Sequence, residues 1–271
     1  MMRSITLYAV LTLGAIGTTF PFVWMVATAL KSEAEALSPG LGIFPEQWMW
    51  SNFVLMFQQA PQFVRYFYNS FLVAFSVTAA VVVTSMLAGY TFARLDFPGR
   101  GVLFSLVLAT MMVPFEVTLI PNFMLITRLG WKDTYAALIV PWCANAFSIF
   151  FMRQAFMSLP SDYFDAAKVD GCGHLRFLVW IAMPLVKPAA VTVGLFAFLA
   201  SYNALMWPLV VTDSDRMRVV QVGLTLFSSD EGVRLHLLMC AATVVILPTV
   251  ALYFAAQRHF LESAISAGIK G

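Results

Sequence analysis

Charge is missing from long stretches of this chain, and nothing else in it limits the fold as tightly. Four segments, Ser4 to Leu30, Tyr66 to Ala93, Thr134 to Met152 and Pro188 to Thr212, contain no Asp, Glu, Lys or Arg. Gly101 to Thr127 is interrupted only by Glu116, and Leu235 to Gln257 carries only His236 near its start. About 20 apolar residues cross the hydrocarbon core of a bilayer, so each of these six runs can span it. Core helices of soluble proteins average about 11–12 residues and keep a polar stripe toward water, which these runs lack. Of 271 residues, 61% are hydrophobic and 11% charged, against about 45–50% and 25% in soluble domains. The chain therefore reads as an all-α integral membrane protein, one domain of six transmembrane helices at about 8–30, 68–92, 102–126, 135–156, 185–210 and 236–257.

Ala27-Thr28-Ala29 resembles a signal-peptide cleavage site, but the apolar run before it is longer than the roughly 7–15 residues of a signal core, so the first span is expected as an uncleaved anchor. Prolines at 21, 114, 121, 141, 184, 208 and 248 lie in or beside the runs and predict kinked helices. With the N-terminus inside, the inner loops hold nine basic residues and the outer loops seven, a slight preference by the positive-inside rule.

Several function classes are excluded early. Sixteen Lys and Arg against fourteen Asp and Glu leave a formal charge of +2, too small a field to hold nucleic acid. Cys143, Cys172 and Cys240 are odd in number and scattered, unlike a disulfide framework or a metal site, and read as small apolar fillers. His174, His236 and His259 form no pattern of catalysis or metal ligation and are expected to be solvated or interfacial. A phosphate-cradling loop needs Gly-Lys-Ser/Thr, and none of the five lysines follows a glycine. No catalytic residue and no metal site is expected. An intramembrane enzyme would need paired polar groups at membrane depth, which Glu116 alone does not supply.

Three segments outside the runs are informative. Lys31 to Arg65 reads as an interfacial return with Trp48, Trp50 and Tyr66 as anchors. Asp213 to Arg234 reads as an irregular, solvated loop. Arg153 to Lys187 is the most polar of the inner loops. Within it Pro160 and Ser161 predict a helix start with Ser161 as cap, Asp162 and Asp165 favour the positive end of its dipole, and Gly171 and Gly173 stop it. A second helix is then redirected near Pro184. Phe164, Ala166, Ala167 and Val169 give this loop, at about 158–176, a compact surface that suits docking to another protein, although an ordinary solvated connector would need the same caps.

At this point the chain resembles the membrane-spanning subunits of ABC importers. Their signature is Glu-Ala-Ala, three residues, Gly, nine residues, Ile, one residue, Leu, Pro, and Ala166, Ala167, Gly171, Ile181 and Pro184 match it in spacing. Asp165 stands where the family usually has Glu, and Met183 where it has Leu. Asn69-Ser70, Pro114 with Ile120-Pro121, Ser201-Tyr202-Asn203 with Trp207-Pro208, and the tail Ala267 to Gly271 are similar to the maltose-type carbohydrate branch, in particular its smaller permease.

The resemblance implies a prokaryotic cell-membrane permease with both termini cytoplasmic, the 258–271 tail included. It implies a second permease, a dimer of ATP-binding cassette ATPases and an extracytoplasmic solute-binding protein as partners, with ATP and Mg held by the ATPases and no cofactor on this chain. It assigns ATPase coupling to Asp165, Ala166, Ala167, Asp170, Gly171, Ile181 and Pro184, and tail contacts to Gly268, Lys270 and Gly271. The implied cargo is a di- or oligosaccharide, with glycerol-3-phosphate as the alternative. Glu116 lines the translocation path or is an interfacial carboxylate. Tyr202, Asn203, Met206 and Trp207, on one side of the fifth helix, meet a sugar or pack helices.

Overall fold

The computed structural model describes residues 2–38, 42–229 and 232–268, with side chains described over 6–38, 42–228 and 233–255. The first apolar run forms α1 (Met2–Ala29), followed by the short α2 (Glu33–Leu37) and α3 (Ser51–Gln59). The second is a continuous helix, α4 (Phe63–Arg94). The third is divided into α5 (Arg100–Thr110) and α6 (Phe115–Arg128). The fourth is divided into α7 (Tyr135–Ile139), which runs on as a tight turn to Trp142, and α8 (Ala146–Met157).

Two short helices follow, α9 (Ser161–Val169) and α10 (His174–Phe177), the latter extended by a π-helical turn (Leu178–Ala182) into α11 (Met183–Leu185). The fifth run carries α12 (Lys187–Tyr202) and α13 (Met206–Val211). Beyond α14 (Val220–Gly223), a hairpin pairs β1 (Ser228–Ser229) with β2 (Gly232–Val233), and α15 (Leu235–Gly268) closes the chain.

Stretches of α1, α4 and α15 are each long and apolar enough to cross a membrane. Three bent pairs pass the same test: α5 with α6 at 96°, α7 and its turn with α8 at 41°, and the rod His174–Leu185 with α12 at 84°. Counting each pair as one span gives six among the described residues, so the protein is a multi-pass, all-α membrane protein that carries a short hairpin of two two-residue strands.

The breaks have local causes. Pro114, extended at φ −60° and ψ 142°, precedes α6; it lacks an N–H and pushes the residue before it out of helical geometry. Asn145 is extended before α8, and its Oδ1 accepts from the Ser148 N–H at 2.9 Å, capping the new helix. Pro21, Pro121 and Pro248 stay inside α1, α6 and α15 without ending them. The fifth run is not one helix: Tyr202 ends α12, Asn203 lies in the break as its C-cap, and Met206 and Trp207 begin α13, so the four residues expected on one helix side do not share a helix.

The described residues form two compact units, one of 1–65 with 220–251 and one of 66–219 with the remainder of α15. In the first, Asn52 is buried and its Nδ2 donates to the carbonyls of Ala29 and Lys31 at 2.9 and 2.8 Å. These bonds satisfy acceptors that the end of α1 would otherwise leave open. Cys240 Sγ reaches the Ala29 carbonyl as well, and Phe63 meets Phe227 edge to face. His236 is buried rather than solvated, and its Nδ1 makes no hydrogen bond among the described residues, while the His259 side chain lies outside them. Val220, Val222 and Phe227 are buried too, so the segment expected as irregular and solvated is in part helical core.

In the second unit, α4 is the central rod. Its buried residues include Tyr66, Asn69, Ser70, Val73, Ala74, Val77, Val81, Ser85, Met86 and Tyr90, recurring every three or four positions along one face. Gly89 allows α4 and α8 to touch: a Cβ there would lie 2.8 Å from Met152 Cβ and 2.9 Å from the Arg153 nitrogen. Tyr66, expected as an interfacial anchor, is buried instead, and its hydroxyl donates to Asp215; Trp48 and Trp50 are exposed and stacked on each other.

Near the Tyr66 end of α4, side chains hold the 212–218 loop down. Asn69 Nδ2 donates to the carbonyls of Arg216 and Arg218 at 2.9 and 2.7 Å, and Oδ1 accepts from the Tyr135 hydroxyl at 2.7 Å. Asp133, at a left-handed φ of 58°, accepts from the N–H groups of Asp213 and Ser214 at 3.0 and 3.1 Å. Lys132 pairs with Asp213 at 2.8 Å. Burial raises the Asp133 carboxyl, but the hydrogen bonds from Ser214 and Asp213, with Lys132 nearby, outweigh it and hold the group below the ordinary carboxylate range.

Candidate functional site

Two places in the 66–219 unit concentrate chemistry. One is the segment 158–185, beyond the Arg94 end of α4. Pro160 directs the chain into α9, and Ser161 is the first helical residue rather than the cap; its hydroxyl makes no capping bond. Gly171 ends the helix at φ +69°, where its N–H reaches the Lys168 carbonyl at 3.0 Å and that of Cys172 reaches Ala167 at 2.8 Å. A non-glycine residue rarely adopts this conformation. Gly173 then precedes α10 in an extended conformation.

An aromatic cluster ties this helical hairpin to α4. Phe164 packs edge to face on Phe177 at 5.1 Å, Tyr90 lies against Phe156 and Phe177, and the Tyr90 hydroxyl meets His174 Nδ1 at 3.1 Å. Ala167 is buried beneath. Two arginines clamp the approach. Arg94 Nη2 donates to the carbonyls of Phe156 and Leu159, and Arg153 Nε donates to Phe92 while its guanidinium lies 4.3 Å from the Phe104 ring centre.

The outer face is different. Asp165, Ala166, Asp170 and Gly171 are exposed on it. So are Tyr163, Leu175, Trp180 and Val169, the last 87% exposed. The hairpin is thus fixed from within, while its outside mixes carboxylates and basic groups with uncovered apolar side chains. Ile181 is half-buried in the π-helical turn and Pro184 is exposed in α11, just before the 84° bend. The signature positions thus run from the exposed hairpin to the corner where the chain enters α12.

The second place is a cavity of about 570 Å³ bordered by α4, α7, α8, α12 and α13. Trp207 and Met206 border it; Trp207 is buried, with Nε1 donating to the Ala137 carbonyl at 2.9 Å. Tyr202 and Asn203 are not among its lining residues. Tyr202 is buried and stacked on Phe198 at 5.7 Å, and Asn203 Nδ2 donates to Leu199. Glu116 is exposed in the first turn of α6, and its neighbour Phe115 lines the cavity instead. Asp165, Ala166, Ala167, Asp170 and Gly171 thus lie on one helix and its terminus, with Ile181 and Pro184 further along the chain, while of the expected pathway residues only Met206 and Trp207 border the cavity. Gly268 is the last helical residue of α15, while Lys270 and Gly271 lie outside the described residues.

Tyr90, Arg94 and Arg153, which support the hairpin, carry no motif. Their one sequence signal is the position of the two arginines at the charged borders of apolar runs.

Residues 80–264 match the family described as binding-protein-dependent transport system inner membrane component. The arabinooligosaccharides transport system permease protein AraQ of Bacillus subtilis (strain 168) is 32% identical over 254 residues, 93% of this chain and 90% of that one. The lactose transport system permease protein LacG of Rhizobium radiobacter is 30% identical, covering 97% and 96%. A chain from the crystal structure of a bacterial ABC transporter that imports the acidic polysaccharide alginate shares the fold, with a TM-score of 0.86 at 20% identity over 96% of each chain. This chain, with its broken spans and exposed helical hairpin, belongs to the binding-protein-dependent transport system inner membrane components.

Proposed function

We propose that the chain is one of two permease subunits of an ATP-driven sugar importer, forming half of the translocation pathway. The observation that carries this is the 161–177 hairpin, packed on α4 from within and leaving Val169 and Leu175 uncovered beside Asp165 and Asp170 on its outside, in a member of this transport family. The partners are a second permease, a dimer of ATPase subunits that holds ATP and Mg, and an extracytoplasmic solute-binding protein. The cargo is a di- or oligosaccharide, supported by relatives named for arabinooligosaccharide and lactose transport.

In this reading the hairpin faces the cytoplasm, which places both termini there. Asp165, Ala166, Asp170 and Gly171 meet a cleft of the ATPase, with Ala167 seating the helix from behind. When the ATPases close on ATP, the hairpin moves as a unit, because the Tyr90, Phe164 and Phe177 cluster leaves it no independent motion. The displacement passes through the π-helical turn at Ile181 and the corner after Pro184 into α12. Each ligand state of the ATPases thereby favours a different arrangement of the spans, which is coupling between two states. The tail at Gly268, Lys270 and Gly271 extends toward the same partners.

The test is ATP-dependent uptake by the four-part complex in proteoliposomes, alongside calorimetry on its solute-binding protein. Uptake of lactose or an arabinooligosaccharide is the expected result. A binding protein that takes an amino acid or a metal ion, with no sugar uptake, overturns the assignment.

A further inference from the structure

The cavity between α4, α8 and α12 is built unlike a gap left by poor packing. One wall is a fixed aromatic surface. Trp207 is locked by its hydrogen bond to Ala137, Trp142 stands on it edge to face at 6.0 Å and 82°, and Phe115 braces Trp142 at 5.5 Å. Trp142 itself is only half-buried and borders the cavity. Polar side chains border the same cavity: Asn145 at the break before α8 and Ser201 in the last turn of α12. Asn145 uses Oδ1 to cap α8, so its amide hydrogens remain for another acceptor. A flat indole together with a few amide and hydroxyl groups suits a pyranose or furanose, which has an apolar face and a rim of hydroxyls. The volume falls within the roughly 300–1,000 Å³ of small-molecule sites.

Charge decides the class of sugar. None of the residues bordering the cavity is Lys, Arg, His, Asp or Glu. A phosphate or a uronate placed there would lose its hydration with no cation to compensate. We infer that this subunit carries its own subsite for a neutral sugar ring, stacked on Trp142 and hydrogen-bonded by Asn145 and Ser201. The subsite presupposes the importer function proposed above and narrows its cargo to uncharged sugars.

Uptake kinetics of the reconstituted four-part complex, with lactose, arabinotriose and glycerol-3-phosphate as probes, test it. Trp142→Ala is expected to raise KM for the transported sugar about tenfold, the loss of one good stacking contact, and Trp142→Phe to restore most of it. Asn145→Asp keeps the helix cap but removes both amide donors, so it is expected to raise KM in an assembled complex. Ala144→Phe, at an exposed position bordering the cavity, is expected to block uptake by filling it. Sugar uptake with KM unmoved in these variants overturns the subsite and leaves the importer intact. Glycerol-3-phosphate transported in preference to both sugars overturns the neutral class. No uptake of any probe by the unaltered complex overturns the importer reading and the subsite with it.

Discussion

The two ends of α4 solve opposite problems. Asn69 and Arg94 are 25 residues apart on one continuous helix, roughly 37 Å at 1.5 Å per residue. Around Asn69, the 212–218 loop is turned inward: its carbonyls and N–H groups are taken by Asn69 and Asp133, and Asp215 by Tyr66. Around Arg94, the arginine fixes only the base of the 158–185 segment, and that segment keeps Val169 and Leu175 of the hairpin and Trp180 of the π-helical turn uncovered. One end uses its polar groups on itself. The other is held at its base and leaves its far side uncovered. Mutations at the two ends should therefore separate stability from coupling.

The largest effect is expected at the hairpin. Gly171 needs its left-handed backbone, and a Cβ there meets nothing within 4 Å in this chain. Valine is strained at that φ by about 1–3 kcal/mol and adds bulk on an exposed face of the hairpin. Gly171→Val should cut ATP-dependent uptake at least about tenfold, equivalent to roughly 1.4 kcal/mol of coupling, while the thermal midpoint of the purified permease falls by no more than that backbone strain accounts for. Normal uptake by this variant would remove the docking role from the hairpin.

The Asn69 end should respond in the reverse sense. Asn69→Ala leaves two carbonyls and the Tyr135 hydroxyl without their partner at a fully buried position. A loss of about 2–4 kcal/mol in stability is expected, measured as a lower thermal midpoint in detergent. ATP hydrolysis should stay linked to uptake in whatever fraction remains folded. Uncoupled hydrolysis would show that the two ends are not separable.

The smallest effect concerns pH. Because the Asp133 carboxyl is held below its ordinary range in the folded protein, its contribution is complete above the unfolded value of about 4 and disappears as pH falls through the lower folded value. Asp133→Asn keeps the accepting oxygen and removes the charge, so the fall in stability below about pH 4 should become shallower. An unchanged acid limb in the thermal midpoint would assign the pH response to other carboxylates.

Much of this contrast was legible before any coordinates, and the illegible part has physical causes. Absence of charge marks where the membrane must be, because a charged side chain in hydrocarbon is costly wherever it falls. Spacing marked the hairpin, since a left-handed glycine after a capped helix is a local requirement. The breaks at Asn145 and after Tyr202 were not legible: neither has proline at the break itself, and both are stabilised by residues distant in the chain. Trp207 donates to Ala137, and Thr84 donates to the Cys143 carbonyl at 2.8 Å. Tyr66 was misread for a related reason. A tyrosine near the end of an apolar run suits the membrane surface as well as the interior, and its burial depends on Asp215, far along the chain. For the cavity, the residue types at Trp207 and Met206 pointed to the right region, but composition cannot tell that Trp207 is the locked support and Trp142 the available face.

The division of the third run has a consequence for how the polypeptide is made. Its first half, α5, has 11 residues and reaches only about 16 Å, half the thickness of the hydrocarbon layer. Released alone into lipid, such a half-helix would end among acyl chains with its last carbonyls unbonded, which the bilayer does not tolerate. The segment from Arg100 to Arg128 is therefore not an independent hairpin of lipid-soluble rods: α5 packs against α8, so the half-span depends on a later part of the chain for its place in the bilayer.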